Sequence, residues 1–506
     1  MSLINKMLVG LIAFGMGGSG VVSADMVTSA ERNLWMDSKL VVTHGVASGD
    51  VTAHSAVIWA RANGEGTMHV QLEGEEEEHR NHKITRVYAD NDFTGKVVFN
   101  DLKPDYLYEY KVWFTSLQQK SRGKNVEGEF RTAPMQDKAR AVSFAWGGDV
   151  AGQNVCRDVQ EGFPIFNAIN EMELDFFIGL GDMIYADGVC ESTGRYGNEQ
   201  VPGNFDQAAN MQDYWAHWKY NRGDNAYRKL LAHTPYYAIW DDHEVVNDFG
   251  PLHDTRSTAP YTEGVHLMPL GLKAFMNYNP IVYTAETPKR LYRNIRWGQH
   301  LEVFILDTRQ YRDANLAPDS KVHPKTMLGR EQLVWLKEKL AASDATWKLI
   351  VSSVPVSIPT GFPAENGRDG WANFDQDTGF ENELTDILRT LQVRGNKNIM
   401  FITTDVHFSE AFRYTPFVDA PDFQLYEFVS GPLNAGLFPN RNYDDSLGTE
   451  SLFFFGAENF GEVTTYEEAK QWLNYGSISI DEQGQLTAAI RNVAGGAVYE
   501  LILDPK

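Results

Sequence analysis

Apolar positions change their spacing along the chain near residue 135. Over residues 40–133 they alternate with polar ones in short runs, at Ala56–Arg61, Met68–Leu72, Lys83–Val87, Lys96–Phe99, Leu107–Thr115 and Gly128–Arg131, punctuated by glycine, asparagine and aspartate. Alternation at period two is the mark of strands with one face in a core and one in water, and short strands at this spacing predict a β-sandwich. From Ala141 onward the apolar runs become continuous and alternate with helical segments such as Pro164–Met172, Gln212–Leu231 and Gly329–Ala342. That pattern predicts α/β layering, in which strands are buried on both faces. Gly476–Ile480, Gln485–Arg491 and Ala497–Leu503 read as strands that finish the sheet. No internal repeat interrupts this order.

Two connecting segments have their own character. Leu102-Lys103-Pro104-Asp105-Tyr106-Leu107-Tyr108 resembles the corner before a late strand of a fibronectin type III-like domain, and Thr132-Ala133-Pro134 reads as the hinge that closes the sandwich. Gly188–Asn210 is rich in glycine and polar residues with little periodicity, so it reads as a long insertion, a lid or a surface loop.

Four of the apolar runs end in residues that bind metals. Ala141–Trp146 leads to Asp149, Phe176–Leu180 to Asp182 and Tyr185, Tyr236–Trp240 to Asp242 and His243, and Ile399–Thr403 to Asp405 and His407. Strands of an α/β sheet leave their carboxyl ends at the crevice where ligands bind, so four such ends can surround two cations. Carboxylates, a phenol and imidazoles favour ferric iron, calcium, manganese or zinc over copper(I) or an iron–sulfur cluster. Two such cations bind and polarise a phosphoryl group, which makes phosphate ester hydrolysis the first hypothesis. Gly148-Asp149 alone is a common turn pair, and Tyr185 alone is as easily a core tyrosine. Trp240-Asp241-Asp242-His243-Glu244 is the most specific segment, because four ionisable groups after an apolar strand need cations or hydrogen bonds to neutralise them.

Composition narrows the partners. The net charge of −23 argues against a nucleic-acid surface, so a phosphate substrate must be attracted locally, by bound cations. Glu75–Glu78 reads as a solvated loop without chemistry. At 506 residues the chain exceeds what one core usually organises, and more than one domain is expected. The start, Met1-Ser2-Leu3-Ile4-Asn5-Lys6, then apolar Met7–Met16 and Val22-Ser23-Ala24, has the charged, apolar and cleavage regions of a secretory signal over residues 1–24. A membrane anchor is the competing reading, but this stretch is interrupted by glycine and falls short of the roughly 20 residues a span requires. A soluble, exported protein, periplasmic or secreted, is expected, with no membrane span after removal of the leader. Cys156 and Cys190 follow two of the strand ends, and a disulfide between them or two free thiols are both open.

Taken together these motifs identify the chain as a member of the alkaline phosphatase D (PhoD-like) family of the calcineurin-like binuclear metallophosphoesterases. The resemblance rests on His44-Gly45-Val46-Ala47-Ser48-Gly49-Asp50, Gly179-Leu180-Gly181-Asp182-Met183-Ile184-Tyr185, Trp240-Asp241-Asp242-His243-Glu244-Val245, Leu306-Asp307-Thr308-Arg309-Gln310-Tyr311-Arg312, Leu328-Gly329-Arg330-Glu331-Gln332 and Asp405-Val406-His407. It implies an all-β fibronectin type III-like sandwich over residues 38–134, then a four-layer α/β/β/α phosphoesterase domain over residues 138–506. It also implies hydrolysis of phosphate mono- or diesters by a metal-bridging water or oxide, with ferric iron plus calcium and zinc or manganese as alternatives.

By position, Asp182 would bridge the metals, Tyr185 would bind ferric iron, and Asp242, Asp405 and His407 would complete the shells. His243 would serve the phosphoryl oxygens or the leaving group. Where many members supply a cysteine ligand after the first strand, this chain has Asp149, which resembles the first motif of the wider superfamily and predicts an altered redox potential and metal preference. The leader lacks the twin arginine of the family's folded-export route, so metal loading would follow export. Secondary candidates are Asn247, as a support for calcium; Asp187, behind the metal ligands; Arg309, on phosphate or paired with Asp307; and Trp371, lining a substrate-facing loop. For Asp307 and Arg309 the structural role is favoured.

Two other readings compete: a phospholipase D-like diesterase on the same scaffold, and a catalytically silent surface-binding protein, which would be expected to have lost the metal ligands. A purple acid phosphatase-like enzyme would carry an asparagine-histidine pair where this chain has Asp242-His243. The substrate, a small phosphate ester or phospholipid, and the oligomeric state have no readable signal.

Overall fold

The computed structural model describes residues 39–73, 81–117, 121–250, 264–283, 287, 289–361, 364–439, 442–457 and 460–506. The expected leader and the Glu75–Glu78 loop lie outside the described residues. Strands β1 (Val42–Gly49), β2 (Ala56–Ala62), β3 (Gly66–Glu73), β4 (Asn81–Val87), β5 (Thr94–Phe99), β6 (Leu107–Ser116) and β7 (Val126–Arg131) come first. A four-stranded sheet in the order β4-β3-β6-β7 faces β1, β2 and β5. Alternating residues of both, among them Ile58, Met68, Val70, Val112, Phe114 and Phe130, fill the space between. The expected corner is present: the Lys103 N–H donates to the Tyr108 hydroxyl at 2.9 Å, tying the approach of β6 to its own start.

Strands β8 (Val142–Gly147), β9 (Phe176–Leu180) and β10 (Tyr236–Ile239) follow, and β18 (Asn474–Ile480), β19 (Leu486–Asn492) and β20 (Ala497–Leu503) close the chain. With β1, β2 and β5 they form a nine-stranded mixed sheet in the order β20-β19-β18-β8-β9-β10-β1-β2-β5. The first sandwich sheet and the later strands are thus one sheet, joined where Gly49 of β1 pairs in parallel with Tyr236 of β10. A second, seven-stranded mixed sheet runs β11-β12-β13-β14-β16-β15-β17, from Arg293–Trp297, Leu301–Ile305, Trp347–Val351, Ile399–Thr403, Leu425–Val429, Ser409–Tyr414 and Thr449–Phe455 respectively.

Neighbouring residues of β9 show how these layers meet. Phe176 packs on Trp297 of the second sheet, ring centroids 4.9 Å apart, while Phe177 turns the other way onto Phe166 of helix α1 (Ile165–Asn170). Val303, Leu349, Val351, Met400 and Ile402 of the second sheet join the core that holds β8, β9 and β10. Their alternates Phe304, Ile350 and Phe401 pack instead with Leu336 and Leu340 of the helix Gly329–Ala342 and with Leu384, Ile387 and Leu391 of Glu381–Val393. Burial on both faces explains the continuous apolar runs, each large side chain contributing about 1.5–3 kcal/mol.

One helix expectation is corrected. The predicted helix Gln212–Leu231 is two, Met211–Arg222 and Asn225–His233, broken at Gly223-Asp224 because the Asp224 carboxylate caps the second by accepting from the Tyr227 N–H at 2.8 Å. No helix among the described residues is long and apolar enough to cross a membrane.

Candidate active site

The ends of β8, β9, β10 and β14 deliver the acidic residues. The chain leaves three of these strands through left-handed positions, at Asp149 (φ +64°), Asp182 (φ +52°), Asp405 (φ +81°) and His407 (φ +59°). Each costs a non-glycine residue roughly 1–3 kcal/mol, and such strain gathers where function requires a fixed geometry. Gly181, at φ +101°, precedes Asp182 because a Cβ there would lie 2.6 Å from the Asp241 Cβ.

Asp182, Asp241, Asp242 and Asp405 place carboxylate oxygens within 4.8 Å of one another, and His243 joins Asp182 and Asp242 in the same way. Asp182 Oδ2, Asp241 Oδ2, Asp242 Oδ1 and Asp405 Oδ2 are buried and accept no hydrogen bond from the protein. At an effective dielectric of about 20, two carboxylates 4 Å apart repel by roughly 4 kcal/mol, so the group as built demands protons or cations. Burial, then the neighbouring Asp242 and Asp241 charges, hold the Asp182 carboxyl well above the usual range; burial and Asp241 do the same to Asp405.

A second set adjoins it. Thr404 Oγ1 donates to Asp149 Oδ2 at 2.7 Å, and the Tyr185 hydroxyl donates to Asp149 Oδ1 at 3.3 Å and lies 2.8 Å from His407 Nε2. His407 Nδ1 bonds the Gly436 carbonyl, which fixes the proton on Nδ1 and turns the Nε2 lone pair toward the phenol. Burial raises the Asp149 carboxyl to about 7. Gly152 is required opposite Tyr185, since a Cβ would meet that ring at 2.5 Å. Carboxylate, phenol and imidazole converging with unsatisfied oxygens beside them form a donor set that fits hard or borderline cations.

His243 is held differently. Its Nδ1 lies 2.7 Å from Asp187 Oδ1, while Asp187 Oδ2 accepts the Asn247 N–H at 2.9 Å. Its ring lies 4.0 Å from that of Tyr185. Burial opposes charge on the imidazole, but the Asp187 and Asp242 carboxylates outweigh it and raise the group to about 9. His243 is therefore an acid at neutral pH.

The structure brings Asp149, Asp182, Tyr185, Asp242, His243, Asp405 and His407 together and sets Asp187 behind His243. Asn247 takes part through its backbone N–H. Trp371 is a correction: fully buried among Leu, Ile and Phe side chains, with Nε1 donating to Ser352 Oγ at 3.1 Å, it packs the core and lines no substrate-facing surface. Arg309 is structural but pairs elsewhere than expected, with Asp241 at 2.6 Å and Asp369 at 2.7 Å, while Asp307 accepts its backbone N–H. Sequence reasoning missed Asp241 as a cluster member, and Asp248 and Asp369, which meet Asp242 within 4.8 Å. Asp241 adjoined a flagged residue; Asp369 follows no strand and carried no signal. Glu244 accepts the backbone N–H groups of Asp182, Met183 and Asp241, locking two strand-end loops together.

Residues 144–481 match the family of PhoD-like phosphatases, and residues 29–134 the N-terminal domain of PhoD-like phosphatases. The chain belongs to the PhoD-like phosphatase family. It is 25% identical to alkaline phosphatase D of Bacillus subtilis (strain 168) over 452 residues, 82% of this chain and 73% of that protein. A solved structure of PhoD shares the fold, with a TM-score of 0.70 and 20% identity over 91% of this chain and 88% of the other. As a PhoD-like phosphatase, the protein is a phosphoric ester hydrolase.

Two outcomes follow for this PhoD-like phosphatase. Asp149 (to about 7), Glu244 (to about 8) and His243 (to about 9) all bind protons more tightly folded than unfolded. Stability from such groups is present below their unfolded pKa values and is lost as pH rises through the folded ones. Metal-free protein should lose Tm steadily between about pH 4 and 9; a Tm that rises across that window in calorimetry contradicts the protonation scheme. Cys156 and Cys190 form a disulfide, Cα atoms 5.8 Å apart, that staples the loop after Asp149 to the 188–210 insertion. Replacing both by serine should cost about 2–4 kcal/mol of unfolding free energy, read in urea melts of oxidised protein.

Proposed function

We propose that this PhoD-like phosphatase is an exported, metal-dependent phosphoesterase that hydrolyses phosphate diesters and monoesters. The observation that carries this is the set of buried carboxylate oxygens with no donor, on Asp182, Asp242 and Asp405, beside the Asp149, Tyr185 and His407 donors. These six residues would hold the cations, ferric iron and calcium in first place and zinc or manganese as alternatives. When bound, such cations supply the Lewis acidity and positive field that an anionic phosphoryl group needs in so acidic a pocket.

The chain's own residues do the rest. Asp187 holds His243 by Nδ1, leaving Nε2–H as the proton the ring can deliver to the leaving-group oxygen as the ester bond breaks. Arg309 and Glu244 keep Asp241 and the loops bearing Asp182 and Asp242 in place. The opposed orientations of Phe176 and Phe177 support the four-layer α/β/β/α reading of the catalytic region. The disulfide supports folding in an oxidising compartment and, with the expected leader, export.

The test is turnover of a chromogenic phosphodiester and of its monoester by protein reconstituted with iron and calcium. Activity on at least one that a chelator abolishes and the metals restore is expected, and the ratio of the two sets the preferred class. Turnover indifferent to chelator would overturn the metal dependence.

A further inference from the structure

The 188–210 insertion is tied to two segments next to the Asp149, Tyr185 and His407 donors. On the segment after Asp149, the Arg195 N–H donates to the Asn154 carbonyl at 2.9 Å, and Asn154 Oδ1 accepts from the Glu191 N–H at 2.9 Å and from Gln200 Nε2 at 2.7 Å. The Cys156–Cys190 disulfide closes the same junction. Between these anchors Tyr196 reaches the loop that holds His407. Its ring is buried with Val155, Leu437 and Tyr466, and its hydroxyl accepts the Leu437 N–H at 3.1 Å.

The same peptide group serves His407. The Leu437 N–H and the Gly436 carbonyl belong to one trans amide, so they point in opposite directions. Tyr196 takes the N–H on one side, and the His407 Nδ1–H donates to the carbonyl on the other. Each bond polarises the amide for the other, so the phenol strengthens the carbonyl on which His407 rests. The neighbouring amide is fixed separately, the Gly436 N–H donating to Gln153 Oε1 at 3.1 Å. Leu437 and His407 are both buried. An N–H deprived of its acceptor there would drive the amide to turn, and turning draws the carbonyl away from Nδ1.

We propose, building on the metal-dependent reading, that Tyr196 is a positioning residue for His407. Through the Gly436–Leu437 amide it holds the proton on Nδ1 and keeps Nε2, 2.8 Å from the Tyr185 hydroxyl, free for a cation. The insertion then works as a support of the metal site.

Zinc binding to oxidised, metal-free, full-length protein tests this, measured by competition with a chromophoric chelator. Tyr196→Phe keeps the ring in its apolar cluster and removes only the hydroxyl. It should weaken one zinc equivalent by about tenfold, the lower end of what a partner behind a metal ligand contributes. His407→Gln should weaken the same equivalent, and adding Tyr196→Phe to it should cost little more, since both act through one imidazole. Tyr220→Phe is the control. Its hydroxyl donates to the Val201 carbonyl at 2.6 Å and accepts the Arg157 N–H at 3.1 Å, so it tethers the insertion without touching the Gly436–Leu437 amide, and its loss should leave zinc binding at the wild-type level. Wild-type zinc binding in Tyr196→Phe, an equal loss in Tyr220→Phe, or losses in Tyr196→Phe and His407→Gln that simply add would each overturn the proposal. If wild type binds neither zinc nor iron, the metal-dependent reading fails, and the NMR signal of the His407 Nδ1–H in metal-free protein decides the role of Tyr196. That signal should be sharp in wild type and Tyr220→Phe and broadened by exchange in Tyr196→Phe; an equally sharp signal in all three assigns Tyr196 no hold on His407.

Discussion

Replacing Asp182 by Asn lowers kcat by at least about a thousandfold, the several kcal/mol that a lost metal-ion contribution to the transition state represents. The amide keeps the shape, and its oxygen can still accept the His243 N–H that Asp182 Oδ1 accepts at 3.1 Å. What disappears is the charge on Oδ2, which the protein leaves without a donor and which faces Asp241, Asp242 and Asp405. Metal content should fall with activity. The metal-free variant should also melt higher than metal-free wild type, because one of four mutually repelling carboxylates is gone. A scaffold role would give the opposite Tm shift, and near-normal turnover would sink the two-cation scheme.

His243→Ala is expected to lower kcat by about 10²–10⁴-fold on esters with alkyl leaving groups, the range of a positioned general acid. On nitrophenyl esters the loss should be much smaller, since nitrophenolate departs without a proton. Equal losses on both would mean that His243 acts in binding and not as an acid. Asp187→Asn separates the two further. The carboxylates of Asp187 and Asp242 lift His243 to about 9 against the pull of burial, so neutralising Asp187 should move the alkaline limb of the pH–rate profile downward. An unmoved limb would assign it to another group.

The parts of this design that were legible in sequence are those set by local periodicity. β20 and the helix Gly329–Ala342 match their expected bounds, and the four apolar runs ending in Asp149, Asp182, Asp242 and Asp405 are strands that converge. Contacts decided by long-range packing were not legible. Asp369 reaches Asp242 across more than a hundred residues and Arg309 across 60, from a loop with no pattern. Trp371 was misplaced for a related reason: it lies in the same irregular segment, and nothing local distinguishes a tryptophan that faces substrate from one that fills a core. The disulfide was an open alternative because the spacing of two cysteines says nothing of the 5.8 Å between their Cα atoms.

The single pairing of Gly49 with Tyr236 has a consequence for how the protein can be divided. Strand β10 has β9 on one side and, on the other, only β1. Expressed without residues before 135, the catalytic region would present β10 as a bare edge, its backbone groups open to a neighbouring chain, and such edges recruit partners and aggregate. The N-terminal sandwich thus works as an edge guard, and the short strand that bears Asp242 stays solitary because of it.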